Sequence, residues 1–255
     1  MSLGPTALVL VTVASVLLAS VGCRRSEPAG TTPTALGLAA PTATPAPTPT
    51  PVPIDPYDLL RRSGTIMGEL ETFHFRIHHE RGSLELLPAF FVDEGEGDVA
   101  NPDKLSITFS GSIGGGFAIR SGIITLGESS YMINPLTGKW EAAQTGVSPL
   151  GFFSPSRGIG AMLSELDEVR LLKPDGEEKS VFRIRGVLGA EALAPLVGET
   201  LKGATVDVEL TLDSNRLYLL QAKITGNVKP TDAEDPIRII TLSDFEKPIS
   251  IEAPI

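Results

Sequence analysis

The chain has 255 residues, a formal net charge of −10, 5% aromatic residues and one cysteine. The acidic balance, with no basic stripe anywhere, excludes nucleic acid as a natural partner. A single cysteine excludes an internal disulfide.

Thr6 to Gly22 is apolar or small throughout and ends at Cys23. A membrane-spanning helix needs roughly 20 apolar residues, so this run has the length of a signal-peptide core instead. Ser20, Val21 and Gly22 are small enough for a signal peptidase. The pattern resembles the lipobox of a bacterial lipoprotein, where cleavage leaves the cysteine as the lipid-bearing first residue. Residues 1–22 are therefore read as a signal peptide and Cys23 as the lipidation site. The alternative is an uncleaved anchor helix with an incidental cysteine. In both cases the product is exported and tethered to a membrane.

Ser26 to Pro56 holds nine prolines and seven threonines, with only Glu27 and Asp55 charged. It has no hydrophobic period and cannot form a core, so residues 23–56 are a lipidated cysteine and a semi-extended tether. At about 3.1 Å per residue it reaches toward 100 Å when fully extended. Residues 57–255 remain as a single domain, long enough for a sizeable core.

Tyr57 to Leu70 reads as a helix, with Asp55 as N-cap, Pro56 at the first position and Leu59, Leu60, Ser63, Ile66, Met67 and Leu70 as its apolar stripe. Gly64 and Gly68 weaken it unless close packing requires them. Phe73, Phe75 and Ile77 alternate with His74, Arg76 and His78, which predicts a strand. Leu84 to Val92 is a less regular strand region, and Asp93 to Asp98 is expected to be an acidic loop. Leu105, Ile107 and Phe109 predict a strand, and the glycine-rich Ser110 to Gly116 a bend or rim. It lacks the ending of a phosphate loop. Phe117 to Leu126 and Ser130 to Ile133 are further strands, and Asn134 to Gly138 turns the chain toward Trp140.

From Phe152 to Leu172 the period becomes helical: Ile159, Met162, Leu163, Leu166 and Val169 recur after Ser154 and Pro155. Glu165, Asp167 and Glu168 would form its wet side. Lys179 to Val187 is a strand and Gly189 to Val197 a short helix. In Thr205 to Gly226, Val206, Val208, Leu210 and Leu212 alternate with polar residues, and Tyr218, Leu220, Ala222 and Ile224 do so after a polar turn, predicting an antiparallel hairpin. Ile237 to Leu242 follows, and Ile249 with Ile251 is expected to close the sheet. The total is about nine to eleven antiparallel strands with two or three helices, an α+β class.

Chemistry is sparse. His74 and His78 on one strand stand about 13 Å apart and cannot share a metal. No G-x-S-x-G elbow occurs. The acidic groups Asp93/Glu94, Glu96/Asp98 and Asp232/Glu234/Asp235 lack calcium-loop spacing and read as charged loops. No convergent acid, base or nucleophile emerges, so neither enzyme activity, metal nor cofactor is expected.

Several segments carry a resemblance in their order: Gly95-Glu96-Gly97-Asp98 with Pro102, GESSYMINPLTGKW at 127–140, PSRGIGAMLSEL at 155–166, FRIRGVLGA at 182–190, TVDVELTLDSNRLYLLQAKITG at 205–226 and TLSDFEKPISIEAP at 241–254. From about Tyr57 to Pro254 the chain resembles the actinobacterial, best known mycobacterial, cell-envelope lipoproteins that carry triacylated glycolipids and lipoglycans. The resemblance implies a strongly curved antiparallel sheet forming a half-barrel, with helices on its concave face enclosing a hydrophobic cavity. It also implies kinship with the periplasmic lipoprotein carriers of Gram-negative bacteria.

The implied cargo is an acylated lipid or glycolipid, carried by a domain anchored through Cys23 at the outer face of the cytoplasmic membrane. A membrane transporter or exporter is a further partner, and the domain is read as monomeric. The residues expected to line the cavity are Phe73, Phe75, Leu105, Ile107, Phe109, Ile159, Met162, Leu163, Leu166, Leu193, Leu196, Val206, Val208, Leu210, Tyr218 and Leu220. Phe152 and Phe153 are expected at its mouth. The competing expectation is a surface lipoprotein with a solid core that contacts protein or glycan.

Overall fold

Asp55 sets the start of the fold: its side chain accepts a hydrogen bond from the Tyr57 N–H at 2.9 Å, and Pro56 occupies the first turn, where no N–H is needed. The resulting helix, α1, spans Pro56–Glu69. The structure is a computed structural model that describes residues 54–87, 90–114, 116–143, 150–153, 158–173 and 180–254. The apolar run 6–22, Cys23, most of the tether and the Ser154-Pro155 helix start lie outside the described residues.

The strands are β1 Thr72–Arg81, β2 Leu84–Leu87, β3 Phe90–Ala100, β4 Lys104–Ile113, β5 Phe117–Leu126, β6 Ser129–Ile133, β7 Trp140–Ala142, β8 Asp167–Leu171, β9 Val181–Gly189, β10 Thr205–Asp213, β11 Leu219–Thr225 and β12 Ile237–Ser243. Three short helices interrupt them: α2 Leu150–Phe153, α3 Ile159–Ser164 and α4 Ala194–Val197. All twelve strands join one open, curved antiparallel sheet, in the order β7-β6-β5-β4-β3-β1-β12-β11-β10-β9-β8, with β2 paired to β3. β1 to β7 form one half by successive hairpins and β8 to β12 the other. β1 and β12 close the seam, Phe75 facing Leu242 and Ile77 facing Ile240. Among the described residues, no helix is long and apolar enough to cross a membrane.

Several expectations are corrected. Asp93 to Asp98 is not a loop but the body of β3, where buried Gly95 and Gly97 alternate with exposed Glu94 and Glu96. At Gly97 the inward position is a glycine because the β4 backbone passes too close for a side chain. The helix after Ile159 ends at Ser164, and Asp167 and Glu168 belong to the edge strand β8 on β9. Glu168 takes a positive φ of 51° there, between two shifted pairings. Ile249 and Ile251 form no strand, although Ile251 is buried. Among the described residues twelve strands replace the expected nine to eleven: Leu84 to Val92 divides between β2 and the start of β3, and the short β7 and β8 are additions.

Candidate functional site

The concave face of the sheet is floored by inward residues of alternating strands. Phe73 and Phe75 come from β1, Leu105, Ile107 and Phe109 from β4, Val206, Val208 and Leu210 from β10, and Ile240 and Leu242 from β12. The period of two places them together because every second side chain of a strand faces the same way. The cover consists of α1, α3 with Leu166, Phe153 of α2, and Leu193 and Leu196 around α4. All these residues are buried in one core, Phe75 and Leu105 at 0% exposure and Ile107 and Leu196 at 8%.

α1 is fastened at one end of this face. The Ser63 hydroxyl donates to the Leu217 carbonyl at 2.8 Å, and Asn101 Nδ2 donates to the Leu70 carbonyl at 2.7 Å. α3 lies directly on α1 at a glycine crossing. A Cβ on Gly160 would come 2.7 Å from the Gly64 carbonyl oxygen, and one on Gly64 would come 2.9 Å from that of Gly160. Gly64 is thus the close-packing glycine, a trade of helix propensity for backbone approach. Beside this pair lies a cleft of about 310 Å³, lined by Tyr57, Asp58, Leu60, Arg61, Leu163 and Leu166.

α2 has a single turn, and its Phe153 is buried. That ring stacks on Phe75 with centroids 4.3 Å apart and meets Phe73 edge-on at 5.8 Å. Phe153, expected at the mouth, is 3% exposed and packs onto the floor, where two phenylalanines of β1 offer it aromatic partners. Phe152 lies in α2 beside it.

Fourteen of the sixteen residues expected to line the cavity belong to this core; Tyr218 and Leu220 do not. Leu212 faces Leu219 while Thr211 faces Gln221, so Leu220 is an extra residue in β11. The bulge reverses the phase, since one inserted residue exchanges the two faces of a strand. Leu217 and Leu219 point into the core instead, and half-buried Tyr218 stacks on Phe245 at 4.5 Å.

At the end of the concave face where β1 finishes and β12 begins, the core turns polar. Arg238 and Asp232 form a buried ion pair, with side chains 3% and 1% exposed. Asp232 also accepts the backbone N–H groups of Val228 and Lys229 at 2.7 and 2.9 Å. Asp232 was expected in a solvated acidic loop; its partner on the inner face of β12 lies hidden in an otherwise apolar run. Lys229 Nζ donates to the carbonyls of Glu85 and Val197, at 2.7 and 3.1 Å, tying β2 to the end of α4.

His79 is the cross-strand neighbour of Arg238. Its Nδ1–H donates to the Asp93 carbonyl at 2.9 Å, and its buried Nε2 has no partner. Burial lowers its pKa below the ordinary imidazole value and Arg238 adds to this, while Asp93 and Asp232 oppose it. The unfolded chain then binds more protons than the folded one between the two values, so stability is full above the ordinary value and declines as pH falls toward the folded one. The thermal midpoint should accordingly drop between about pH 7.5 and pH 5.5, and His79→Asn, which keeps a donor toward Asp93, should flatten that part of the profile. An unchanged slope in the variant would assign the acid sensitivity elsewhere.

On the convex face, His74 Nδ1 lies 2.9 Å from Asp98 Oδ1 and Arg76 pairs with Glu94, as a wetted strand face should. Among the described residues, no group of three His, Cys, Asp or Glu side chains is placed to hold a metal ion.

Comparison with solved structures places the architecture. LprF from Mycobacterium bovis aligns with a TM-score of 0.61 at 15% identity, over 78% of this chain and 96% of its own. The Mycobacterium tuberculosis lipoprotein LppX aligns with a TM-score of 0.53 at 14% identity, over 77% of this chain and 97% of its own. A LolA superfamily protein from Nitrosomonas europaea aligns at 10% identity over 78% of this chain and 96% of its own, with a TM-score of 0.28. No curated protein matches the chain by sequence. For the two mycobacterial structures the likeness is one of fold. The family match is separate evidence and covers residues 55–251. It runs from the aspartate that caps α1 to the last buried isoleucine, and by it the chain belongs to the LppX_LprAFG lipoprotein family.

Proposed function

We propose that this protein is a membrane-anchored lipid- or glycolipid-binding lipoprotein that shields acyl chains in the cell envelope, with Cys23 as its lipidated N-terminus. The observation that carries the reading is the construction of the concave face. Beside the four-turn α1, the wide apolar floor is covered by pieces of one or two turns, α2, α3 and α4, and Phe153 of α2 packs on two rings of that floor. Elements so short have little stability of their own and can leave without disturbing the sheet.

The energetics suit a carrier. Each CH₂ removed from water contributes about 0.8 kcal/mol, so a long acyl chain gains on the order of 10 kcal/mol gross. A site that stayed open would hold such a cargo too long to deliver it. Here the protein's own side chains compete for the same floor, and their return offsets part of the cost of release. The proposed role is non-catalytic.

Dense packing of the floor, with Phe75, Leu105 and Val208 at 0% exposure, favours a second reading: a surface module with a solid core that contacts protein or glycan. Native mass spectrometry after exposure to envelope lipid extracts separates the two. The carrier retains acylated lipid, and Ile159→Trp, which fills space beneath α3, lowers the retained amount severalfold with the sheet intact. A clean protein mass after every extract would leave only the surface module.

A further inference from the structure

Two apolar side chains stand bare at one end of the sheet. Phe117 is 73% exposed and Leu136 is 86% exposed. Scattered single hydrophobics on a surface need no explanation, but these two crown neighbouring hairpins. β4 and β5 close at the Ile113–Phe117 pair, and β6 and β7 close at the Ile133–Trp140 pair. Because β5 and β6 are antiparallel neighbours, both turns point the same way.

The Leu136 turn is held firmly. Asn134 Oδ1 accepts the N–H groups of Leu136 and Thr137, at 2.9 and 3.2 Å, and the Gly138 N–H reaches the Asn134 carbonyl at 2.8 Å. None of these bonds involves the leucine side chain, which the turn simply presents to the outside.

Phe117 has a further property. It faces Ile113 across the hairpin and lies two and six residues from Ile119 and Ile123 on the same face of β5. Ile123 is buried in the concave core, while Ile113 and Ile119 are half-buried against it. The inward row of β5 therefore leads from the concave core to the exposed tip, with Ser121 between Ile119 and Ile123 tied to the Ile133 carbonyl. Exposed Lys139 flanks the Leu136 tip and half-buried Trp140 stands behind it, while exposed Arg120 lies three residues back from Phe117 on the opposite face of β5.

We propose that these two hairpin tips form a prong that enters the interfacial layer of a lipid bilayer, joining the membrane's hydrocarbon to the concave site along β4 and β5. The proposal rests on the reading of that site as an acyl-chain site. A bilayer fits better than a protein partner because two projecting, separately mounted side chains can sink into fluid lipid without needing matched pockets. The Lys139 ammonium at the Leu136 turn suits headgroup phosphates, and the adjacent indole suits the interface. The net charge of −10 disfavours adsorption of the remaining surface to anionic lipid and confines contact to this end.

Trp140 is the only tryptophan and lies on the Leu136 hairpin, so it reports on the tip. The test uses the full chain, with its own N-terminus, in phosphatidylcholine vesicles whose acyl chains are brominated just below the headgroup. Trp140 fluorescence should be quenched. Phe117→Asp with Leu136→Asp should return it to the level seen in unbrominated vesicles while the protein stays vesicle-bound through its N-terminus. Leu171→Asp, on the opposite edge strand, should leave quenching unchanged. If the double aspartate variant misfolds by circular dichroism, the two serine substitutions replace it.

Equal quenching in wild type and tip variant, or none in wild type, overturns the prong. Mass spectrometry of extracted lipid on the same samples keeps the two ideas apart. Tip-dependent quenching with no retained acyl lipid would sink the carrier reading and leave a membrane prong. Retained lipid without quenching would do the reverse.

Discussion

Gly97→Ala lowers the thermal midpoint by roughly 6–12 °C. Gly97 lies between Phe75 of β1 and Ile107 of β4, facing inward. A Cβ there would stand 2.0 Å from the Ser106 carbonyl oxygen and 2.8 Å from the Ile107 Cα. Both are backbone atoms, so no rotamer change relieves the overlap and β3 must move off β4. Overpacking of this kind costs at least about 3 kcal/mol. Gly95, one pleat away, supplies the control. Its added Cβ would meet only the Ile107 Cδ1 at 3.3 Å, the Phe109 Cβ at 3.4 Å and the Thr108 carbonyl oxygen at 3.4 Å, so Gly95→Ala should cost far less. Thermal melts of the two variants decide the matter. Equal losses would mean that the strand needs glycine for its flexibility and not for the close approach of β4.

That pair of glycines also marks the limit of sequence reading. Alternation locates a strand only when its inward residues are hydrophobic, and a Gly-Glu-Gly-Asp segment has the period of a strand with the composition of a loop. The hairpin from Thr205 was legible in its first strand for the opposite reason: Val206, Val208, Leu210 and Leu212 alternate cleanly and are buried at 0–2%. Its second strand misled because Leu217 to Leu220 is apolar at every position, leaving no contrast by which to place the bulge. α1 could be read from its cap, its proline and its stripe. The helix after Ile159 was read too long, since Val169 continues the helical spacing by chance while β9 recruits the segment as an edge strand. Arg238 was unreadable as an inward residue: only the loop from Val228 to Asp232, folding back beneath it, makes its burial tolerable. Ile240 and Leu242 of β12 belong to the floor but were not among the expected lining residues, although the strand that carries them was legible. What the sequence could not reveal was how tightly its own cover occupies that floor.

Phe153→Ala tests the cover directly. Its ring stacks on Phe75 and meets Phe73 edge-on. Truncating a buried phenylalanine costs about 3–5 kcal/mol, with the lower end expected here because a one-turn helix can partly collapse into the gap. The corresponding fall in thermal midpoint is roughly 6–12 °C. Stability alone does not separate a plug from an ordinary core residue, so the informative readouts are two others. Amide hydrogen exchange should quicken in α2 and neighbouring α4 while β1, β4 and β10 stay protected, because the cover opens without unfolding the sheet. Retained acyl lipid should rise at the same time, since an alanine no longer competes with cargo for the floor. A variant that loses protection throughout the sheet, and gains no lipid, would make Phe153 part of a solid core and remove the competition on which release from the concave face depends.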